Sequence, residues 1–439
     1  MSSEKVELAN WVIKETKNCG ANEAAVSISK QRQIDISFRD KKLENLKEST
    51  QNSLTLQVYA DKKFSSHTTN DLKKETLTKF IEEAVASTKY LAKDEYRTLP
   101  DSKYYPRDFN KDLKLLDKKY DKVNSDERIQ MAKEIEEIAM AQSDQIISST
   151  TGYSDTFYET AKVHSNGFIG ETKGTRFWAG AEVTVKDGEK GRPSDWYWGG
   201  TRFLNDLPKP EILAKEAVRR ALRKIGQKKI ESGKYDMIVE NRAGGRLFSM
   251  LQEPLSGQAL QQKSSYLDGM LNKQIASAKL TMTDDPFIEK GLGSRNYDGE
   301  GLAAKKRIII ENGILRNYYI DNYYAKKLEM LPTSGSTSNI IFNYGDKSAD
   351  ELIKLVKKGI LVTGFIGGNS NSTTGDFSFG IVGQFIENGT IVGAINEMNI
   401  SGNAQEFWKK LVEVGNDPYQ FSSRQIPSLM FEEIHFAGI

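Results

Sequence analysis

Apolar and polar side chains alternate most clearly over residues 54–60 (LTLQVYA), where Leu, Val and Ala are separated by Thr, Gln and Tyr. This period is typical of a strand with one buried face. Shorter runs and amphipathic helical patterns surround it. Together they predict a helix at 4–17, strands at 23–30, 33–39, 54–60 and 64–68, and a helix from Asn70 or Asp71 to about 91.

A charged, proline-containing passage at 92–124 separates this region from the next. Its interleaved Lys and Asp residues are typical of a solvated connector, although its leucines indicate that part of it is packed. A helix is predicted to begin at Asn124 or Ser125, because these residue types cap helices and two acidic residues follow. Long strands at 145–204 and a helix at 209–225, ended by Gly226, complete the middle of the chain.

From residue 234 onward, short β-branched runs are separated by Gly, Asn, Ser and Thr. The pattern predicts a buried strand at 234–240 and a helical segment at 242–260. Asn-Gly pairs at 312–313 and 388–389 predict two hairpins, because a type I′ turn needs two residues with positive φ. Two further helices are predicted at about 348–357 and 403–413.

These elements predict an α+β protein, with N-terminal α/β sub-domains followed by a mainly β C-terminal domain that contains a few helices. The length of 439 residues exceeds one ordinary hydrophobic core. We predict a helix–strand–helix domain at 1–95, a middle α+β domain at 96–230 and a β-rich domain at 231–439.

The charge balance argues against several partners. The chain has 62 Lys and Arg against 60 Asp and Glu, a net charge of +2, so no strong field favours nucleic acid or a membrane surface. No run approaches the roughly 18 to 20 apolar residues that span a bilayer. The N-terminus is predicted to be a helix rather than a signal peptide. With Cys19 as its one cysteine, the chain is expected in a reducing cytoplasm.

Residue chemistry alone does not specify a catalytic site. His67, His164 and His435 are far apart in sequence, and neither HExxH nor Cys-x-x-Cys occurs. No G-x-S-x-G marks a nucleophile. The glycine-rich run at 291–301 precedes a predicted strand, so it lacks the helix N-terminus that binds a phosphate. No catalytic residue is predicted, and a metal site would have to be assembled from scattered groups.

Several uncommon segments of the second half follow one another in a characteristic order. They are DDPFIEKGLGSRNYDGEG (284–301), ENGILRNYYIDNYYAKKL (311–328), TSGSTSN (333–339), GNSNSTTGDFSFGIVGQFIENGTI (368–391), EMNISGNAQEFW (397–408), VGNDP (414–418) and PSLMFEEIHFAG (427–438). This series resembles the TldD/PmbA family, whose members are also called modulators of DNA gyrase. The N-terminal helix–strand–strand pattern fits the family's first domain, so the resemblance extends over effectively the whole chain.

The resemblance implies two types of subunit. The TldD-type member looks like a zinc metallopeptidase with HExxxH on a helix just after the first strand of its C-terminal part. The PmbA (TldE) type lacks this motif and pairs with it, and the implied substrates are unfolded or flexible peptides. This chain would then be a non-catalytic subunit of a homo- or heterodimer, without a metal of its own and with zinc in a TldD-type partner.

The corresponding stretch of this chain, 244–260, departs from the motif. Laying HExxxH over it places Ser249 and Pro254 at the two histidines and Met250 at the glutamate. Serine and methionine are poor zinc ligands, and proline offers none. Methionine also cannot accept a proton from a bound water. The nearby Glu253 is a single carboxylate, which is not a metal site.

The segment TTGDFSFG (373–380) has small residues where another chain could approach closely. Gly375, Asp376, Phe377 and Ser378 are therefore predicted to bind peptide, and the alternative is that these glycines only form turns. Two other functions stay open. One is a self-sufficient homodimeric peptidase with a non-standard site, tested at Glu253 and His435. The other is a binding module for gyrase or its DNA.

Overall fold

A six-stranded antiparallel sheet forms the first half of the structure, a computed structural model that describes residues 3–108 and 111–439. Its strands are β1 (Glu23–Arg39), β2 (Lys42–Ala60), β3 (Lys63–Thr69), β4 (Ile146–His164), β5 (Ile169–Val185) and β6 (Ser194–Thr201). In space their order is β3-β2-β1-β4-β5-β6. The sequence pattern predicts two strands at 23–39, but β1 is one strand, because β4 pairs with it continuously from Ala25 to Arg39.

Four helices pack against this sheet. They are α1 (Glu4–Asn18), α2 (Lys74–Thr88), α3 (Ser125–Met140) and α4 (Pro210–Leu222). The first two bury the end of the sheet around Val26, and the other two bury the end around Ile36. α3 begins as predicted, because Asn124 Oδ1 accepts a hydrogen bond from Glu127 N at 2.8 Å and the Glu127 carboxylate accepts one from Asn124 N at 3.3 Å.

The predicted start of α2 is wrong by about one turn. Lys73, and neither Asn70 nor Asp71, precedes the first helical residue, Lys74. The Asp71 carboxylate instead accepts hydrogen bonds from Lys73 N and from Thr76 Oγ1, each at 3.0 Å. Its side chain therefore closes a turn ahead of the helix rather than capping the helix itself.

The described residues of the passage, 92–108 and 111–124, lie across the junction between the sheet and the C-terminal part. Its Leu99, Tyr105, Leu113 and Tyr120 are each no more than 8% exposed. The Leu113 carbonyl accepts a hydrogen bond from Lys290 N at 2.8 Å. The leucines are therefore packed, as their pattern indicates, whereas burial of the two tyrosines goes beyond the predicted solvated connector, because segments distant in sequence cover them.

The C-terminal part combines a closed sheet with a smaller five-stranded sheet. Its helices are α5 (Gly244–Gln252), α6 (Gly257–Gln261), α7 (Asn322–Lys327), α8 (Ala349–Leu355) and α9 (Ala404–Lys409). Its strands are β7 (Gly233–Val239), β8 (Met282–Asp284), β9 (Arg307–Glu311), β10 (Ile314–Leu315), β11 (Ile340–Phe342), β12 (Lys358–Ser370), β13 (Asp376–Glu387), β14 (Thr390–Asn403), β15 (Leu411–Val414), β16 (Arg424–Gln425) and β17 (Leu429–Ala437). The predicted α+β class with a mainly β C-terminal domain is confirmed.

The larger sheet closes on itself. Its order is β14-β13-β12-β7-β17-β15, and β14 also pairs with β17 through Asn399–Ala437 and Ile400–Phe436. The smaller sheet has the order β10-β9-β8-β11-β16, and the two sheets share one hydrophobic core. In the described part of the chain, no helix combines the length and the apolar character needed to cross a bilayer.

Both Asn-Gly hairpins are present as predicted. Asn312 (φ 48°) and Gly313 (φ 78°) join β9 to β10, and Asn388 (φ 49°) and Gly389 (φ 74°) join β13 to β14. The helix predicted at 403–413 is shorter, because α9 ends at Lys409 and residues 411–414 form β15. β15 pairs with β17, a partner that the local pattern does not reveal.

A buried group of charges joins the middle part to the C-terminal part. The Asp195 carboxylate on β6 lies 2.7 Å from Arg242 and 3.2 Å from Lys224. Glu240, just after β7, accepts a hydrogen bond from Arg220 of α4. Burial opposes the ionisation of Asp195, but Arg242, Lys224 and Arg220 outweigh it and hold its pKa at about 2. The basic end of α4 therefore faces carboxylates of its own chain.

Candidate functional site

The helix α5 carries the first two positions of the degenerate motif. It follows β7 closely, and one face packs into the C-terminal core through Leu247, Phe248, Met250 and Leu251. The helix ends before Pro254, because proline has no N–H and restricts the residue before it. Ser256 then caps α6 by accepting a hydrogen bond from Ala259 N at 3.1 Å. The helical segment predicted at 242–260 is therefore two helices.

The three motif positions offer no metal ligand. Ser249 is half-buried, and its hydroxyl donates a hydrogen bond to the Arg246 carbonyl at 2.6 Å. Met250 is 2% exposed, so its thioether lies inside the core. Pro254 is buried, and its carbonyl accepts a hydrogen bond from the Ser265 hydroxyl at 2.6 Å. Met250 therefore contributes to core packing, whereas Ser249 and Pro254 take part in hydrogen bonds that involve the backbone.

The three histidines belong to other elements of the fold. His435 is exposed on β17, His67 lies on β3, and His164 is buried with its Nδ1 3.0 Å from the Tyr105 hydroxyl. Burial, assisted by Lys162, lowers the His164 pKa to about 3. Across residues 3–108 and 111–439, no three His, Cys, Asp or Glu side chains are grouped so that they could hold a metal ion.

Glu253 is exposed at the end of α5 and lines two hollows. The larger, of about 560 Å³, is also lined by residues 369–372 and 376–378. The smaller, of about 360 Å³, is lined by Ser249, Gln252, Ser256, Tyr319 and residues 335–337. We call these two hollows together the Glu253 cleft. Its polar lining consists mostly of hydroxyl and amide groups.

Three of the four predicted peptide-binding residues, Asp376, Phe377 and Ser378, line one wall of this cleft, and Gly375 immediately precedes them. Gly375 (φ 83°) closes the turn between β12 and β13, where a left-handed backbone favours glycine. Asp376 and Ser378 are exposed. Phe377 is 5% exposed and stacks on Phe379, with ring centroids 5.4 Å apart. Of the four residues, only Asp376 and Ser378 present polar side chains to the cleft.

Hydrogen bonds keep the Asp376 carboxyl ionised. Thr374 Oγ1 donates to it at 2.7 Å and Asn403 Nδ2 at 3.1 Å. These bonds lower the Asp376 pKa, because they stabilise the charged form. Asp376 and Glu253 therefore give the larger hollow a negative edge, suited to cationic side chains and to backbone N–H groups.

Two walls of the cleft, at 335–337 and 369–372, are not predicted as site residues from sequence. Both belong to hydroxyl-rich runs, TSGSTSN and GNSNSTTG, and this composition is the signal that could have identified them. Tyr319 is also missed. It is 3% exposed, and burial followed by the nearby Asp284 raises its pKa well above the usual value.

Comparison with family models gives three consecutive matches. The PmbA/TldA metallopeptidase domain 1 matches residues 24–88, the central domain matches 118–225, and the C-terminal domain matches 232–438. The matches therefore extend over most of the chain, including α5 and the walls of the Glu253 cleft.

Individual relatives agree with these matches. The metalloprotease PmbA of Escherichia coli is 29% identical over 94% of this chain and 92% of its own length. A metalloprotease PmbA homolog of Buchnera aphidicola is 30% identical over 80% of this chain and 78% of its own length. A crystal structure from Bacteroides thetaiotaomicron, of a protein described as a candidate modulator of DNA gyrase, is 42% identical with a TM-score of 0.97 and full coverage of both chains. This chain belongs to the PmbA/TldD metallopeptidase family.

Proposed function

We propose that this chain is a non-catalytic subunit that pairs with a TldD-type zinc peptidase and helps to enclose unfolded or flexible peptides. The observation that carries the proposal is the side-chain chemistry at positions 249, 250 and 254. A hydrolytic zinc site needs three protein ligands and a group that accepts a proton from the bound water. Ser249, Met250 and Pro254 supply neither.

The placement of Met250 supports the same proposal. In a working motif this position would carry the general base, which must reach the bound water. Here the side chain points into the hydrophobic core and is 2% exposed. A carboxylate could not act from this position without a change in how α5 packs. The proposed zinc centre therefore lies in the partner, and the dimer would be a heterodimer.

The Glu253 cleft is the proposed contribution of this chain to peptide binding. Its hydroxyl and amide groups can hydrogen-bond to a peptide backbone of any sequence, as a flexible substrate would require. Asp376 and Ser378 form one wall and Glu253 the centre. Positively charged side chains of the substrate would be favoured at this negative edge.

The first experiment measures the isolated chain. We expect it to contain far less than one zinc per chain by metal analysis and not to cleave an unfolded peptide. Adding the peptidase that co-purifies with it from its own cells should produce cleavage. Stoichiometric zinc together with peptidase activity in the isolated chain would refute the proposal.

The names of the curated relatives favour a second candidate, a self-sufficient homodimeric peptidase, because both are called metalloproteases. In that case Glu253→Gln or His435→Ala in the isolated chain would sharply reduce cleavage. If the subunit proposal is correct, His435→Ala leaves the activity of the reconstituted pair unchanged. Glu253→Gln then weakens peptide binding by the pair and leaves its zinc content unchanged.

A further inference from the structure

A cavity with different lining residues from the Glu253 cleft lies where three parts of the chain meet. Its volume is about 750 Å³, within the usual range of small-molecule sites. Residues 111–119 of the connecting passage form one wall. The middle part contributes 171–173 of β5 together with Phe203 and 205–206, and the C-terminal part contributes 290 and 295–296.

The lining of this cavity carries an excess of positive charge. Seven Lys and Arg side chains line it against four Asp and Glu, an excess of three, whereas the whole chain has a net charge of +2. The seven cations are Lys111, Lys114, Lys118, Lys119, Lys173, Lys290 and Arg295. The cavity wall is thus more positive than the protein as a whole.

The acids of the lining are engaged by the protein itself. Asp112 and Asp117 accept hydrogen bonds from backbone N–H groups of their own loop, each at 2.9 Å. Asp206 pairs with Lys290 at 2.7 Å. Glu171 accepts a hydrogen bond from a hydroxyl near the N-terminus. These contacts hold the carboxylates in place without removing their charge, so the excess of the lining stays at three positive charges.

Four of the cations form no ion pair in the described ranges. Three of the seven form ion pairs, at 2.5 to 3.3 Å. The remaining four, Lys111, Lys118, Lys119 and Arg295, have no carboxylate within 4.0 Å in the described ranges. Arg295 donates a hydrogen bond to the Ser336 carbonyl at 2.6 Å, and burial lowers its pKa. Asp298 and Asp284 attract this guanidinium from beyond ion-pair distance, and a bound anion would add to that attraction.

We propose that this cavity binds a small polyanion with two or more phosphate groups, of the size of an inorganic polyphosphate or a nucleoside triphosphate. A phosphate chain concentrates several charges in a small volume and could contact cations from all three walls at once. The anion would also lie beside uncharged groups of the lining, namely the aromatic ring of Phe203 and the amide groups of Asn205 and Asn296. The bound anion would hold the three parts together.

Thermal unfolding and calorimetry test this proposal on the full chain. We expect about 1 mM tripolyphosphate to raise Tm by about 2–4 °C over sodium chloride of equal ionic strength. The double variant Lys118→Gln/Lys119→Gln removes two exposed cations that make no ion pair, so it should fold normally. We expect it to raise the Kd for tripolyphosphate about tenfold and to lose most of the Tm shift.

The matched control is Lys42→Gln/Lys47→Gln, which removes the same charge from exposed positions on β2, three strands away from β5 in the sheet. This variant should keep the full shift. ATP without magnesium, as a second probe, should bind at least as tightly as tripolyphosphate. An equal shift in sodium chloride alone, or an undiminished shift in the Lys118→Gln/Lys119→Gln variant, would overturn the proposal.

Discussion

The Glu300 carboxylate accepts a hydrogen bond from Asn322 N at 2.8 Å in the C-terminal part. Burial raises the Glu300 pKa to about 7, with Asp321 and Asp298 adding to the rise, while the Asn322 hydrogen bond and Lys162 oppose it. The unfolded chain should titrate near 4.5. Between the two values the folded protein holds a proton that the unfolded chain has released. The contribution of Glu300 to the free energy of unfolding therefore falls as pH rises from about 4.5 to about 7.

We expect Glu300→Gln to stabilise the protein above pH 7, because it removes the cost of a buried carboxylate and retains a hydrogen-bond acceptor. The gain should be about 1–2 kcal/mol at pH 8 and close to zero at pH 4.5. Urea unfolding at both pH values measures it. Glu289→Gln, at a side chain that is 60% exposed, should show no comparable pH-dependent gain. An equal effect of Glu300→Gln at both pH values would contradict the assignment.

Met250 gives the second prediction at this scale. Met250→Glu would place a carboxylate where the motif has its glutamate, but inside the core. We expect a loss of about 3 kcal/mol or more in the free energy of unfolding. Ser249→His, at a half-buried position, should cost much less. The triple change Ser249→His/Met250→Glu/Pro254→His should therefore lower stability without producing stoichiometric zinc binding, as measured by urea unfolding and metal analysis.

At the scale of elements, the turn between β9 and β10 is fixed by backbone geometry. Gly313 has a φ of 78°, and a Cβ built on it would lie 2.2 Å from the Ala276 carbonyl oxygen and 2.2 Å from Gln274 Nε2. Gln274 Nε2 also donates a hydrogen bond to the Ala276 carbonyl at 2.5 Å. The turn is thus held both by its own dihedrals and by the loop that packs on it.

Gly313→Ala should destabilise the protein by about 2–4 kcal/mol, because it combines an unfavourable φ with a steric clash. Gly393→Ala on β14 is the matched control. No atom lies within 4 Å of its added Cβ, and its φ is not positive. Chemical denaturation of both variants tests the prediction, which fails if the two changes cost the same.

The elements that sequence predicts well are those whose signal is local. The Asn-Gly hairpins and the Asn124 cap depend on a few adjacent residues, and each is present at its predicted position. The ends of α9 and the continuity of β1 depend on strands far away in sequence, β17 and β4. The sequence likewise shows that the motif positions carry Ser249, Met250 and Pro254. It does not show that Met250 is buried, because burial depends on what α5 packs against.

At the scale of the whole molecule, the charges around Asp195 hold the middle and C-terminal parts together. Asp195 is 4% exposed and faces Arg242, Lys224 and Arg220. Its depressed pKa means that its stabilising contribution is present above the unfolded value of 3.8 and is lost as pH falls towards about 2.

Asp195→Ala should lower the free energy of unfolding by about 3–5 kcal/mol, because three cations would then surround a buried site without its carboxylate. We also expect unfolding to become less cooperative, with the first half of the chain separating from the C-terminal part. Calorimetry and hydrogen exchange would show this. Asp101→Ala, whose carboxylate pairs with Lys103 at a side chain that is 52% exposed, should cost little. Equal losses in the two variants would count against the proposed contact.

The surfaces that form between parts are the least predictable from sequence. The connecting passage looks like a solvated segment because its charges alternate, yet Leu113 and Tyr120 are buried by partners from other parts of the chain. The Glu253 cleft is also assembled from four separate segments, at 249–256, 319, 335–337 and 369–378. Hydroxyl-rich composition marks two of them, but only the fold shows that they meet at Glu253.

The pairing of β1 with β4 has a practical consequence for dividing this protein. The boundary near residue 95 remains a prediction, but fifteen residue pairs connect the strands on either side of it. A fragment starting at residue 96 would present the whole flank of β4 as unsatisfied amide and carbonyl groups, ready to recruit other chains. Co-expressing residues 1–95 with such a fragment should restore solubility by complementation, as in a split reporter.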